Sequence, residues 1–270
     1  MAVEEVMQQL KNRIVLVTGA SAGIGEACVR AFAASGARVI AAARRMERLE
    51  ALAREVRQAG CEILSLGLDV RDRAAVERTL GRLPEEWAAV DVLVNNAGLG
   101  RGIEKLYEGD PSEWDEMLDT NVKGLLYVTR TIVPGMVSRG RGHVINIGSV
   151  AGREVYPGGN VYCASKFAVK ALTRGLKMDL TGTPVRVTTI DPGMVGTDFS
   201  VVRFRGDKAR AAKVYENIEA LKAEDIADAV VWAATRPERV DVTEMVIMPV
   251  AQSSAMLNHR GPWLQASKKG

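Results

Sequence analysis

Short apolar runs recur along this chain, and between successive runs lies a stretch with helical spacing. Ile14-Val15-Leu16-Val17 is the first run, and others occupy residues 37–43, 61–70, 90–98, 143–149 and 185–193, with "EMVIMP" last. Helical patterns begin at Glu26 ("EACVRAFAASG") and continue through "RMERLEALAREVRQAG", "RDRAAVERTLGRL", roughly residues 111–137, residues 161–180 and "AEDIADAVVWAAT". Strands that are apolar on both faces need cover on both faces, and strand–helix alternation brings them together in parallel. The pattern predicts an α/β fold: a single doubly wound Rossmann-type domain with about seven parallel strands and helices on both faces. No linker or break in composition divides residues 1–270.

The first run ends in "TGASAGIG", residues 18–25, where Gly19, Gly23 and Gly25 crowd against the start of a helix. Such a turn lets backbone N–H groups approach a phosphate and adds the favourable end of the helix dipole. Taken alone, the octapeptide also fits a tight turn with no ligand. In doubly wound sheets, however, ligands bind beyond the carboxyl ends of the strands, so strand ends far apart in sequence form one site. Those ends carry the glycine turn, Arg44-Arg45, Asp69-Val70, Asn95-Asn96-Ala97-Gly98, Ser149 and Pro192-Gly193. A groove so rich in glycine and amide, and so poor in bulk, suits a dinucleotide. Where a carboxylate would accept the ribose hydroxyls of NAD, the chain has Ala43 and then Arg44 and Arg45. A guanidinium pairs with the 2′-phosphate that a carboxylate repels, so NADP(H) is favoured. For Arg45 the alternative is a surface charge at a helix start.

Composition narrows the partners. With 47% hydrophobic residues the chain can bury a large core, and a net charge of +3 with mixed signs calls for no nucleic acid. Cys28, Cys61 and Cys163 are scattered, which suits reduced thiols and a cytoplasmic location. His143 and His259 are the only histidines, and neither lies in a motif for a metal or a Ser-His-Asp triad, so no metal is expected. No apolar stretch reaches membrane-spanning length, and the acidic start "MAVEEVMQQL" does not read as a signal peptide. The expectation is a soluble, cytoplasmic protein that takes a small-molecule substrate and meets neither membrane nor nucleic acid.

"YCASK" places Tyr162 and Lys166 four residues apart, on one face of a helix. An ammonium near a phenol favours the phenolate and lowers its pKa, which makes a general acid/base without histidine. Ser149 ends the neighbouring strand and can bond the same substrate oxygen. Ile147 and Ala151 stand where a hydrolase elbow would need glycine.

"TGASAGIG", "NNAG", the "NVKG" of Asn121, Ser149, "YCASK" and "DPG" occur in an order that resembles the short-chain dehydrogenases/reductases, from about residue 14 to residue 249. The resemblance implies a catalytic tetrad of Asn121, Ser149, Tyr162 and Lys166. In it Tyr exchanges the proton, Ser polarises the substrate oxygen, Lys holds the nicotinamide ribose, and Asn anchors a water in a proton relay. It further implies that NADP is held by Gly19, Ser21, Gly23, Ile24 and Gly25, with Arg44 and Arg45 at the 2′-phosphate. Asp69, Val70, Asn95, Ala97, Gly98, Tyr162, Lys166, Pro192, Gly193, Val195 and Thr197 complete that site. A homo-oligomer, a tetramer, is implied as well. Residues 1–12 then form an N-terminal extension, 194–222 a substrate-loop excursion and 250–270 a C-terminal tail.

"RRMERLEAL", "LPEEW", "YPGGNVY", "FSVVRFRGDKA" and "MPVAQS" resemble, more narrowly, the NADP-dependent 3-hydroxy acid dehydrogenases. That likeness implies hydride transfer between NADP(H) and serine, allo-threonine or a similar acid, with Ser149, Tyr162 and Arg203 at the substrate. Arg203 is ranked above Arg205 as the carboxylate's partner; two surface arginines in a loop are the alternative. The competing functions are reduction of another carbonyl (acyl-thioester, keto-alcohol or sulfoacetaldehyde type) and a non-catalytic NADP(H) sensor.

Overall fold

The computed structural model describes residues 10–262, so residues 1–9 of the extension and 263–270 of the tail lie outside the described residues. The strands are β1 (Ile14–Thr18), β2 (Arg38–Ala43), β3 (Ile63–Gly67), β4 (Val90–Asn95), β5 (Gly142–Ile147), β6 (Val185–Pro192) and β7 (Glu244–Ile247). They form one sheet of seven, in the order β3-β2-β1-β4-β5-β6-β7, with every neighbouring pair parallel. The helices are α1 (Gly23–Ala34), α2 (Met46–Gln58), α3 (Arg73–Leu80), α4 (Pro111–Leu118), α5 (Leu125–Arg139), α6 (Asn160–Asp179), α7 (Phe199–Arg203), α8 (Lys208–Val214) and α9 (Ala223–Ala234).

Successive side chains of a strand point to opposite faces, and β1 uses this fully. Val15 and Val17 join Phe32 of α1, Leu49 of α2 and Ile226 of α9 in one core. Ile14 and Leu16 join Val76 of α3, Val128 of α5 and Leu180 in the other. The expected doubly wound architecture is therefore present, and strand order reverses between β1 and β4, where a crevice must open.

The boundaries differ from the pattern in two informative places. The helix expected from Glu26 starts at Gly23, so the last two glycines of the turn lie inside its first turn, and no side chain caps it. The single helical stretch expected over residues 111–137 is divided by a wider, π-helical turn, Asp119–Gly124. Gly124 presses on Val70 there, and a Cβ would stand 2.6 Å from Val70 Cγ2. Periodicity alone carries no signal for one inserted residue's worth of slack.

His143, on β5, is structural. Its ring is buried, with Nε2 2.7 Å from Thr188 Oγ1. Burial pushes its pKa well below 6.5, and Arg186 and Lys177 repel the charged form further. Below that pH the unfolded chain binds a proton that the folded chain refuses, so stability is lost as pH falls. Between about pH 7 and pH 5 the denaturation midpoint of the native protein should drop more steeply than that of His143→Gln. Equal slopes would show that His143 does not titrate on unfolding.

Candidate active site

A cavity of about 570 Å³ runs along the carboxyl ends of the strands, from Ser21 and Asp69 at one end to Tyr162 and Arg203 at the other. Gly19 and Gly23 adopt φ of 65° and 56°, a region that favours glycine. Arg45 is half-buried and donates from Nε to Ser21 Oγ at 3.1 Å, so it belongs to the cleft and is not a detached surface charge. Burial, then the charges of Arg48 and Arg44, lower its pKa. Three guanidinium groups near an uncapped helix start make a strongly anion-attracting corner. Asp69 is gripped by Arg71, its pKa lowered mainly by that bond, and lines the cavity with Val70, Ala97 and Gly98.

Three expected site residues, Asn95, Gly25 and Asn121, have other parts in the structure. Asn95, the last residue of β4, donates to Thr129 Oγ1 (3.0 Å) and Asn146 Oδ1 (2.9 Å) inside the sheet–helix layer, away from the cavity. Its neighbour Asn96 faces the glycine turn instead, donating to the carbonyls of Thr18 (2.9 Å) and Gly19 (3.3 Å). Strand alternation makes only one of two adjacent asparagines available, and it is the second. Gly25 is a packing glycine, because a Cβ there would stand 2.4 Å from both Asn96 Nδ2 and the Gly19 carbonyl. Asn121 is a clasp, since its carboxamide accepts from Leu99 N and donates to the Leu99 carbonyl, both at 2.8 Å, and donates to Ser165 Oγ at 3.0 Å. Both amide protons are thus committed, and the side chain has no donor left for a water.

Ser149, Tyr162 and Lys166 do converge. Tyr162 sits in the first turn of α6, 8% exposed, lining the cavity with Ser149 and tilted against Phe199 with ring centroids 5.4 Å apart. Lys166, 7% exposed, donates to the Ile147 carbonyl at 2.9 Å, with Nζ 6.0 Å from the Tyr162 centroid. Burial lowers the Lys166 pKa to about 8, against which buried Asp191 acts. Contrary to expectation, the Tyr162 pKa is raised: burial of the phenol outweighs the opposing effects of Ser149 and the charge of Arg203, and Tyr156 adds to the rise.

The Tyr162 end of the cavity is closed by α7. Arg203 lines the cavity, whereas Arg205 points outward into ion pairs with Glu113 (2.6 Å) and Glu104 (3.2 Å). Two contributors were not foreseen. Tyr156, within "YPGGNVY", lines the cavity and accepts from Arg203. Gln252, in the tail, accepts from Met194 N at 2.8 Å and so pins the Pro192-Gly193 turn. Only the glycine there leaves room for it, since a Cβ on Gly193 would stand 2.2 Å from Gln252 Oε1.

A doubly wound sheet with a glycine turn, a basic corner and a buried Tyr/Lys pair beside a cavity-lining Ser is the framework of a dinucleotide-dependent oxidoreductase. The chain belongs to the short-chain dehydrogenase family, whose model matches residues 13–208. It is 53% identical to the NADP-dependent 3-hydroxy acid dehydrogenase of Salmonella typhi over 249 residues, 92% of this chain and 99% of that one. The enzyme of the same description from Schizosaccharomyces pombe is 40% identical over 255 residues, 94% of this chain and 98% of that one. Among solved structures, the closed form of a serine dehydrogenase complexed with NADP+ superposes with a TM-score of 0.86 at 51% identity, covering 92% of this chain and 99% of the other.

Asn121→Ala should strand the Leu99 N–H and C=O, two buried groups that each cost about 1–3 kcal/mol when unpaired. Urea unfolding without cofactor should show a loss of about 2 kcal/mol or more. A loss confined to activity would instead make Asn121 a direct participant in the chemistry.

Proposed function

We propose that this protein oxidises small 3-hydroxy acids such as serine or allo-threonine with NADP+, or reduces the matching carbonyl compounds. The observation that carries this reading is Arg203. Its guanidinium lies in the cavity with Cζ 5.4 Å from the Tyr162 centroid, and Nη2 is buried with no hydrogen-bond partner. A buried, unpaired guanidinium nitrogen beside the acid/base suits a substrate carboxylate, and a neutral alcohol would leave it unsatisfied.

The residues present fit NADP. The glycine turn and uncapped α1 suit the pyrophosphate, Arg44 and Arg45 the 2′-phosphate, Asp69 and Val70 the adenine, and the segment from Pro192 through Val195 and Thr197 the nicotinamide end. Bound there, NADP+ would supply the hydride acceptor for C3 of the acid. On this reading Ser149 donates to the substrate oxygen and Tyr162 exchanges the proton with it, giving it up in reduction and taking it in oxidation as the phenolate, the form that burial disfavours and the charge of Arg203 favours. Lys166 adds positive charge beside the phenol and Arg203 holds the carboxylate, while Asn121 supports Lys166 and Tyr162 from behind through the Leu99 loop. Turnover as a cytoplasmic homotetramer belongs to the same proposal. The exposed Leu126, Phe167 and Met178 on α5 and α6 support subunit contact, and no helix among the described residues is long and apolar enough to cross a membrane.

Steady-state turnover of serine and of 2-propanol tests the reading, with NADP+ outperforming NAD+. Tyr162→Phe should lower kcat by about a hundredfold or more while leaving NADP+ affinity within about twofold. Arg203→Ala should lower kcat/KM for serine by about ten- to a hundredfold, because a hydrogen bond to a charged group contributes roughly 1.5–3 kcal/mol. The effect on 2-propanol should be far smaller, and equal losses on both substrates would refute the carboxylate assignment.

A further inference from the structure

Arg203 reaches the cavity between two tyrosine rings, with Cζ 5.5 Å from the Tyr156 centroid and 5.4 Å from that of Tyr162. Two of its nitrogens are already engaged: Nε donates to the Gly102 carbonyl at 2.8 Å and Nη1 to Tyr156 Oη at 2.9 Å. That leaves Nη2. The main chain repeats the link, since Gly102 N donates to the Arg203 carbonyl at 3.0 Å, so the guanidinium is fixed in position and in plane.

Tyr156 comes from a different element, the loop that leads into α6. Gly159 N donates to the Tyr156 carbonyl at 3.0 Å, and a Cβ on Gly159 would stand 2.3 Å from the Tyr156 ring. The ring is therefore seated on the turn that starts the helix carrying Tyr162. A phenol has one proton to give and two lone pairs. With a lone pair taken by Arg203 Nη1, the Tyr156 proton is the group's remaining donor, and burial keeps the phenol protonated.

We propose that Tyr156 is the second donor for the substrate's carboxylate and a specificity-determining residue for acids, its oxygen locking Arg203 and its O–H joining Arg203 Nη2 on the two carboxylate oxygens. The proposal rests on the acid-oxidising reading above. Two donors fix a planar carboxylate where one would let it swing. With the carboxylate fixed, the distance to Tyr162 selects the position of the hydroxyl. In a 2-hydroxy acid the hydroxyl carbon is one C–C bond, about 1.5 Å, nearer the carboxylate, and its oxygen falls short of Tyr162.

The test is Tyr156→Phe in the NADP+-saturated enzyme, assayed with 3-hydroxypropionate, lactate and 2-propanol. Phenylalanine keeps the ring against Gly159 and Arg203 and removes only the hydroxyl. KM for 3-hydroxypropionate should rise about tenfold or more, kcat/KM for 2-propanol should change by under about threefold, and the preference over lactate should shrink. In an Arg203→Ala background the same substitution should cost much less than in the native one, because the two side chains act as a pair. An unchanged KM for the acid, equal losses on acid and alcohol, or fully additive losses would overturn the proposal. A native enzyme that oxidises 2-propanol but no acid would overturn the acid reading, and this proposal with it.

Discussion

The site hangs on a crossing of backbone and side chain between β1 and β4, where strand order reverses. Thr18 Oγ1 accepts from the N–H groups of both Asn96 and Ala97 at 3.1 Å, and the Asn96 carboxamide returns to the Thr18 and Gly19 carbonyls. These bonds join the two halves of the sheet at the level where the crevice opens. They set the height of the glycine turn, and with it the start of α1 that a phosphate would meet. They also set where the chain leaves β4, and so where Gly98 and Leu99 run toward Asn121. Buried polar groups satisfied in this reciprocal way define one arrangement, because any shift leaves several of them unpaired at once.

At the chemical end of the cleft, burial and charge oppose each other. Tyr162 and Lys166 are both nearly enclosed, and enclosure disfavours the charged form of each, raising the phenol's pKa and lowering the ammonium's. The protein offsets this with groups brought from elsewhere: Asp191 acts on Lys166, and Arg203 and Ser149 act on Tyr162. Asp191 is itself enclosed, accepting from Thr189 Oγ1 at 2.8 Å and from Arg153 Nε at 3.2 Å. The charge balance at Tyr162 and Lys166 is thus set together by residues from β6, α7 and the turn after β5. The four-residue spacing of Tyr162 and Lys166 supplies alignment, and the charge balance comes from the other elements.

Closure at the Arg203 end of the cleft has the same composite character. Arg101 donates to the Val202 carbonyl at 2.7 Å while its Nε pairs with Glu116 at the same distance, and Glu116 also lies 3.6 Å from Arg71, the partner of Asp69. A line of charged contacts therefore runs from the Asp69 end of the cleft to the helix that carries Arg203. Contacts of this kind, partly exposed, are individually weak. Their effect is to hold α7 in one place, where a short helix of five residues could not hold itself.

Periodicity and composition alone determined the alternation of strands and helices, hence a parallel sheet covered on both faces. The strand-end rule then grouped Gly19, Arg44, Arg45, Asp69, Ser149 and Gly193 into one site, and helical spacing paired Tyr162 with Lys166. These features were legible because they depend on local spacing and on a topology with few alternatives. Tertiary structure decided the rest. It chose Asn96 over Asn95, turned Asn121 into a clasp, and gave Gly25 to packing. It separated Arg203 from Arg205, although they stand two residues apart, because helix geometry turns one into the cavity and Arg205 leaves with φ of 54° toward Glu113. It raised the Tyr162 pKa where a nearby ammonium had suggested the reverse, since burial is a property of everything packed around a residue. Tyr156 and Gln252 entered the site for the same reason: each is brought there by a partner dozens of residues away, and no local pattern records such a distance.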